Sequence, residues 1–117
     1  SLQYDDQPAE RADIAARTGT RLAVWPDLDL TRDLESVAAL IAELDLVITP
    51  GTMVADLAGA VGTLCAMLLP VPHYQQCGRP DWPWFATTTV FGRRAGESWD
   101  VPVAALDRWL NDSAAGP

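Results

Sequence analysis

Thr49, Gly51, Thr52 and Asp56 fall within one short stretch, where the apolar run Leu46-Val47-Ile48 meets a Pro50-Gly51 turn and a helix of small residues follows at once. Hydroxyls and unspent backbone N–H groups at such a junction point to one place beyond the end of a strand, which is how α/β proteins hold a phosphate. Asp56 stands in the first turns of the same helix and opposes an anion if it faces the junction. His73, the one histidine of the chain, lies between prolines in the segment after the next apolar run, where ligands gather in open parallel sheets. Arg79 is a candidate clamp for a diphosphate or a sugar acid. The spacing alone also fits an ordinary strand, turn and packed helix, and a solvated loop histidine.

Other chemistries find little footing. A Ser-His-Asp or Cys-His arrangement would have to use the one histidine, and no nucleophile elbow is present. Cys65 and Cys77 are too few for a disulfide framework or a metal site. The carboxylate pairs Asp5/Asp6 and Asp27/Asp29 sit at expected helix entries, where capping explains them, so no metal is expected. No cofactor is expected either. Trp82 and Trp84 are placed to cover a base, yet aromatic residues in a proline-rich loop read first as packing. Arg93 and Arg94 read as surface arginines.

The elements that must position these residues alternate along the chain. Ser1-Leu2-Gln3 reads as the end of a strand, and Pro8 opens a helix that Gly19 ends. Arg21 to Trp25 reads as a second strand stopped by Pro26. Leu34, Val37, Leu40, Ile41 and Leu44 recur at helical steps, with Asp33 and Glu35 at the positive end of the dipole. Leu46 to Thr49 is a third strand, and Thr52 to Val61 a helix whose Ala55, Ala58, Gly59 and Gly62 leave one side nearly bare. Leu64 to Leu69, apolar at every position, is a fourth strand buried on both faces, and Thr87 to Phe91 a fifth. Asp100 and Pro102 open a last helix with Val103, Leu106, Trp109 and Leu110 on one face. The expected fold is α/β: a three-layer α/β/α Rossmann-like domain over residues 1–112, with a parallel sheet of about five strands in the order 2-1-3-4-5, then a frayed tail over 113–117.

Composition bounds the partners. A chain of 117 residues with 49% hydrophobic and 21% charged residues is that of one globular domain. Its net charge is −8, and all eight basic residues are arginine, so nothing draws it to nucleic acid or to anionic lipid. No apolar stretch is long enough to span a membrane and no leader pattern opens the chain, so a cytoplasmic location is expected.

Several blocks together resemble a known family. Ser1-Leu2-Gln3, Asp29-Leu30, the helix Val37 to Ala42, Leu44 to Thr49, Ala55-Asp56-Leu57-Ala58-Gly59-Ala60-Val61-Gly62, Leu68-Leu69-Pro70, Asp81 to Phe85 and Trp99-Asp100 are similar to the nucleotide-sugar-binding domain of heptosyltransferase-like GT-B glycosyltransferases, of the kind found behind tetratricopeptide repeats in bacteria. The resemblance implies a nucleoside-diphosphate sugar held with Thr49, Gly51 and Thr52 beside the diphosphate. It also implies an acceptor domain or repeats earlier in a longer protein, without which this segment does not turn over. The family commonly carries an acidic residue at Gly51 and a histidine at Asp56; the second exchange sets a carboxylate where a hydrogen-bond donor stood and weakens the donor site, and together they mark the site as altered or degenerate. A second reading is therefore a non-catalytic domain of the same fold, kept for contacts with repeats or other partners. A receiver-like module is disfavoured by the absence of lysine. Without its leading strand-helix unit the sheet has an open edge, which favours a homodimer.

Overall fold

The computed structural model describes residues 1–5 and 7–114 of the chain. They fall into two compact units, residues 1–40 and residues 41 onward.

In the first unit, helix α1 (Pro8–Thr18) starts where Pro8 spends no amide and ends at Gly19, whose φ of 71° and N–H to Ala15 O close the last turn. Gln7 is its N-cap residue, and the Asp5 carboxylate accepts from the Gln7 side chain at 2.7 Å. The partner expected beside Asp5, Asp6, lies outside the described residues.

Neither Ser1-Leu2-Gln3 nor Arg21 to Trp25 forms a strand. Ser1 N does reach Ala23 O, but the Gln3 amide turns back to the Ser1 hydroxyl and Trp25 O accepts from Leu28 N in a turn. A ladder needs such bonds to repeat along both segments, and here they do not. Residues 21–25 are accordingly exposed throughout.

Asp29 closes the following turn, accepting from Thr31 N, Thr31 Oγ1 and Arg32 N at 3.0, 2.7 and 3.0 Å. Asp33 then accepts from Ser36 N and starts helix α2 (Leu34–Ala42), which begins in the first unit and ends in the second. Val37 and Ile41, one turn apart, are fully buried.

The second unit is α/β. Strands β1 (Leu46–Pro50), β2 (Leu64–Pro70) and β3 (Thr88–Arg93) form a parallel sheet in the order β1-β2-β3. Val47 stands beside Cys65 and Leu68 beside Phe91. These are the third, fourth and fifth strands expected from the sequence; the described sheet has three strands rather than five. Helix α3 (Met53–Val61) packs on β1 and β2, while helix α4 (Asp100–Ala114) packs on β3 and β2. Helix α4 thus continues past Asp112 to Ala114, although a frayed tail is expected from Ser113, and 115–117 lie outside the described residues.

Burial of Cys65, Ala66 and Met67 in succession shows that both faces of β2 are covered, although Leu64 at its start is exposed. Under α4 the core is Ala66, Phe91 and Leu106, with the Trp109 ring edge-on to Phe91 at 5.7 Å. On the α3 side, Ala55 and Ala58 are buried and Gly59 lies against the Phe85 ring. Gly62 has a different use. Its φ of 82° turns the chain out of the helix, with Gly62 N–H to Gly59 O and Thr63 N–H to Ala58 O. No helix among the described residues is long and apolar enough to cross a membrane.

Candidate functional site at the C-terminal edge of the sheet

In a parallel sheet all strands deliver their following loops to one edge. The turn after β1, the loop after β2 and the turn after β3 therefore open on the same side. The first of these holds Thr49, Gly51 and Thr52. Thr49 is buried, and its hydroxyl lies 3.3 Å from that of Thr52. Between them the chain doubles back, with Thr52 N donating to Pro50 O at 2.7 Å. A Cβ added at Gly51 would meet Leu69 Cδ1 at 2.5 Å, so the turn rests directly on β2 and a larger residue there requires the Leu69 side chain to shift.

Thr52 is the N-cap residue of α3 in an extended conformation, but its side chain makes no capping bond. Its carbonyl accepts from Ala55 N at 2.9 Å and Asp56 N at 3.4 Å. Among the described residues, no bond occupies the amides of Met53 and Val54. Two hydroxyls and two free amides at the positive end of a helix make an arrangement that can accept an oxyanion.

Asp56 is exposed on the first turn of α3, with no ion pair among the described residues. Its charge is nonetheless felt inside. The Cys65 thiol is pushed up from an ordinary 9.0 to about 11, chiefly by burial and secondly by the Asp56 carboxylate, against a smaller opposite effect of the Thr88 hydroxyl. Cys65 is an inert core thiol.

The loop after β2 is tied to itself. His73 caps the 3₁₀ turn Tyr74–Gln76: its Nδ1 accepts from Gln75 N at 3.4 Å, and its own N–H donates to Gln76 Oε1 at 3.0 Å. The buried Gln76 also donates to Pro80 O, and the Trp84 indole N–H donates to Gln75 O at 2.9 Å. Arg79 closes on Asp81 as a fork, with bonds of 2.9 and 2.8 Å. The pair holds the Asp81 carboxyl below its ordinary range and raises Arg79, first through these bonds and then through charge. No hydrogen bond or ion pair among the described residues joins His73 or Arg79 to Thr49, Gly51, Thr52 or Asp56. The β1–α3 turn thus assembles as one cluster, while His73 and Arg79 serve the neighbouring loop.

Trp82 is buried, as packing requires, whereas Trp84 is exposed and is tied to the loop only through its indole N–H on Gln75 O. Two residues escaped sequence reasoning. Gln76, polar amid prolines and aromatics, carries no signal that it will be a buried tie. Arg93 is half-buried rather than a surface arginine: its guanidinium lies 4.9 Å from the Trp99 ring centre and donates to Glu97 O. An arginine at a strand end shortly before a tryptophan was the available hint.

No family model and no solved structure matches the chain. It is 33% identical over 115 residues to Protein FlbA of Caulobacter vibrioides, an alignment that takes in 98% of this chain and 19% of FlbA. The chain therefore spans about a fifth of the length of that curated relative.

Proposed function

We propose that this chain is the donor-binding domain of a GT-B, heptosyltransferase-like glycosyltransferase, binding a nucleoside-diphosphate sugar at the C-terminal edge of the sheet and inactive without an acceptor domain or repeats in a longer protein. The observation that carries this reading is the β1–α3 turn, where the Thr49 and Thr52 hydroxyls, 3.3 Å apart, lie beside the unoccupied amides that open α3. The finer topology that goes with this reading, three layers and five strands in the order 2-1-3-4-5, requires Ser1–Gln3 and Arg21–Trp25, which form no strand here, to pair in the longer protein. The location is cytoplasmic.

A second reading, a non-catalytic domain of the same fold contacting tetratricopeptide repeats or a second copy of itself, is favoured by two observations. Arg79 is already paired with Asp81, and the exposed Asp56 adds a negative charge to the helix that would receive the anion.

Amide-shift titration with several nucleoside diphosphates and their sugars separates the two. The donor reading expects shifts confined to residues 49–56 and 73–85, strengthened by Asp56→His. Silence at millimolar ligand, before and after that substitution, favours the contact domain.

A further inference from the structure

We infer that His73 is a proton-sensitive latch on the loop between β2 and β3: the loop is fastened while the imidazole is neutral and released when it is protonated. A backbone N–H can only donate, so the bond from Gln75 N requires a bare lone pair on His73 Nδ1. Protonation puts a hydrogen there, and two donors then face each other across the bond. Histidine is the side chain whose charge ordinarily changes near neutral pH. An imidazolium at the start of a helical turn also meets the positive end of the backbone dipoles.

The consequence spreads because Gln75 is held from both sides. Its N–H is bound by His73 and its carbonyl by the Trp84 indole, nine residues on. Gln76, the next residue, binds both the His73 amide and Pro80 O. One imidazole lone pair thus stands at the head of bonds that reach from residue 73 to residue 84.

The surroundings offer a cation no counter-charge among the described residues. Tyr74 and Trp82 face the ring, with centroids 4.6 and 6.3 Å away. The charged residues of this loop, Arg79 and Asp81, are spent on each other. Strand β2, which leads into the loop, has no charged residue, and β3 has Arg93, engaged with Glu97 O and Trp99. Helix α3, which the loop reaches through Phe85 on Gly59, carries Asp56 as its one charge.

The test needs no ligand and so stands apart from the nucleotide reading. Amide and indole spectra of the 117-residue chain are followed from about pH 7.5 to about pH 5.5, the range in which histidine ordinarily changes charge, alongside the His73 ring protons. The Gln75 amide and the Trp84 indole N–H should shift together with the ring. Their hydrogen exchange, corrected for its intrinsic pH dependence, should accelerate about fivefold, the factor for loss of one cap. In His73→Asn, whose side-chain oxygen accepts the same bond at every pH, both signals should stay put. A ring titration that leaves the Trp84 indole unmoved overturns the latch, as does an equal response in His73→Asn.

Discussion

Gly59 shows how much one side chain decides. A Cβ there would enter the space of the Phe85 ring, so Gly59→Ala should destabilise the chain by about 1–2 kcal/mol, overpacking outweighing the gain in helix propensity. Urea unfolding checks this, and Phe85→Leu in the same chain should recover part of the loss. The cysteines offer a second test at this scale. Exposed Cys77 should react at once with a thiol reagent at neutral pH, whereas buried Cys65 should react only on unfolding. Because the folded Cys65 thiol titrates near 11 rather than at its ordinary 9.0, its contribution is fully present below pH 9.0 and lost as pH rises through 11. Stability should fall by about 2 kcal/mol across that window, and the fall should be smaller in Cys65→Ala. Equal alkaline slopes in the two proteins would assign the loss to other groups.

At the scale of elements, the entry to α2 depends on two carboxylates in series. Asp29 and Asp33 are both held below their ordinary 3.8, Asp29 first by the Thr31 hydroxyl and Asp33 first by Ser36. A depressed folded value means stability that is present above 3.8 and fades as the pH falls through the lower folded value. Helical signal should therefore decline below about pH 3.8, and Asp33→Asn, which keeps an acceptor for Ser36 N, should lessen the acid dependence. Asp33→Ala should lose helix at every pH. Circular dichroism across the acid range gives both outcomes, and an unchanged acid midpoint in Asp33→Asn would mean that the cap is not what fails.

For the whole molecule the open question is the edge of the sheet. Strand β1 is paired on one side by β2, and on the sheet face where α4 packs over β2 and β3, Ile48 and Leu64 are still 49% and 52% exposed. An unpaired strand with exposed apolar residues seeks a partner. Sedimentation should show reversible self-association that rises with concentration, and Ile48→Lys should abolish it. A monomer at every concentration would mean that this edge is closed within the chain.

The helices, the glycines that end α1 and α3 and the three strands of the described sheet were legible in the sequence because each rests on neighbours in the chain: Pro8 and Gly19 around α1, the apolar run of β2, the Pro-Gly turn before α3. The cap expected from Asp5 and Asp6 was not, since Gln7 holds that position without a side-chain bond. The cluster Thr49, Gly51 and Thr52 was legible for the same reason, being a single turn. Strand character at Ser1–Gln3 and Arg21–Trp25 was not enough, since a strand exists only when another backbone takes its hydrogen bonds repeatedly. Tertiary structure also decided what the arginines do. Whether Arg79 or Arg93 is available to an anion depends on whether Asp81 or Trp99 comes within reach, and charge alone in a sequence does not tell a free guanidinium from a paired one. The fastening of the loop through Gln76 and His73 belongs to the same class, because a buried polar side chain is defined by the partners that folding brings to it.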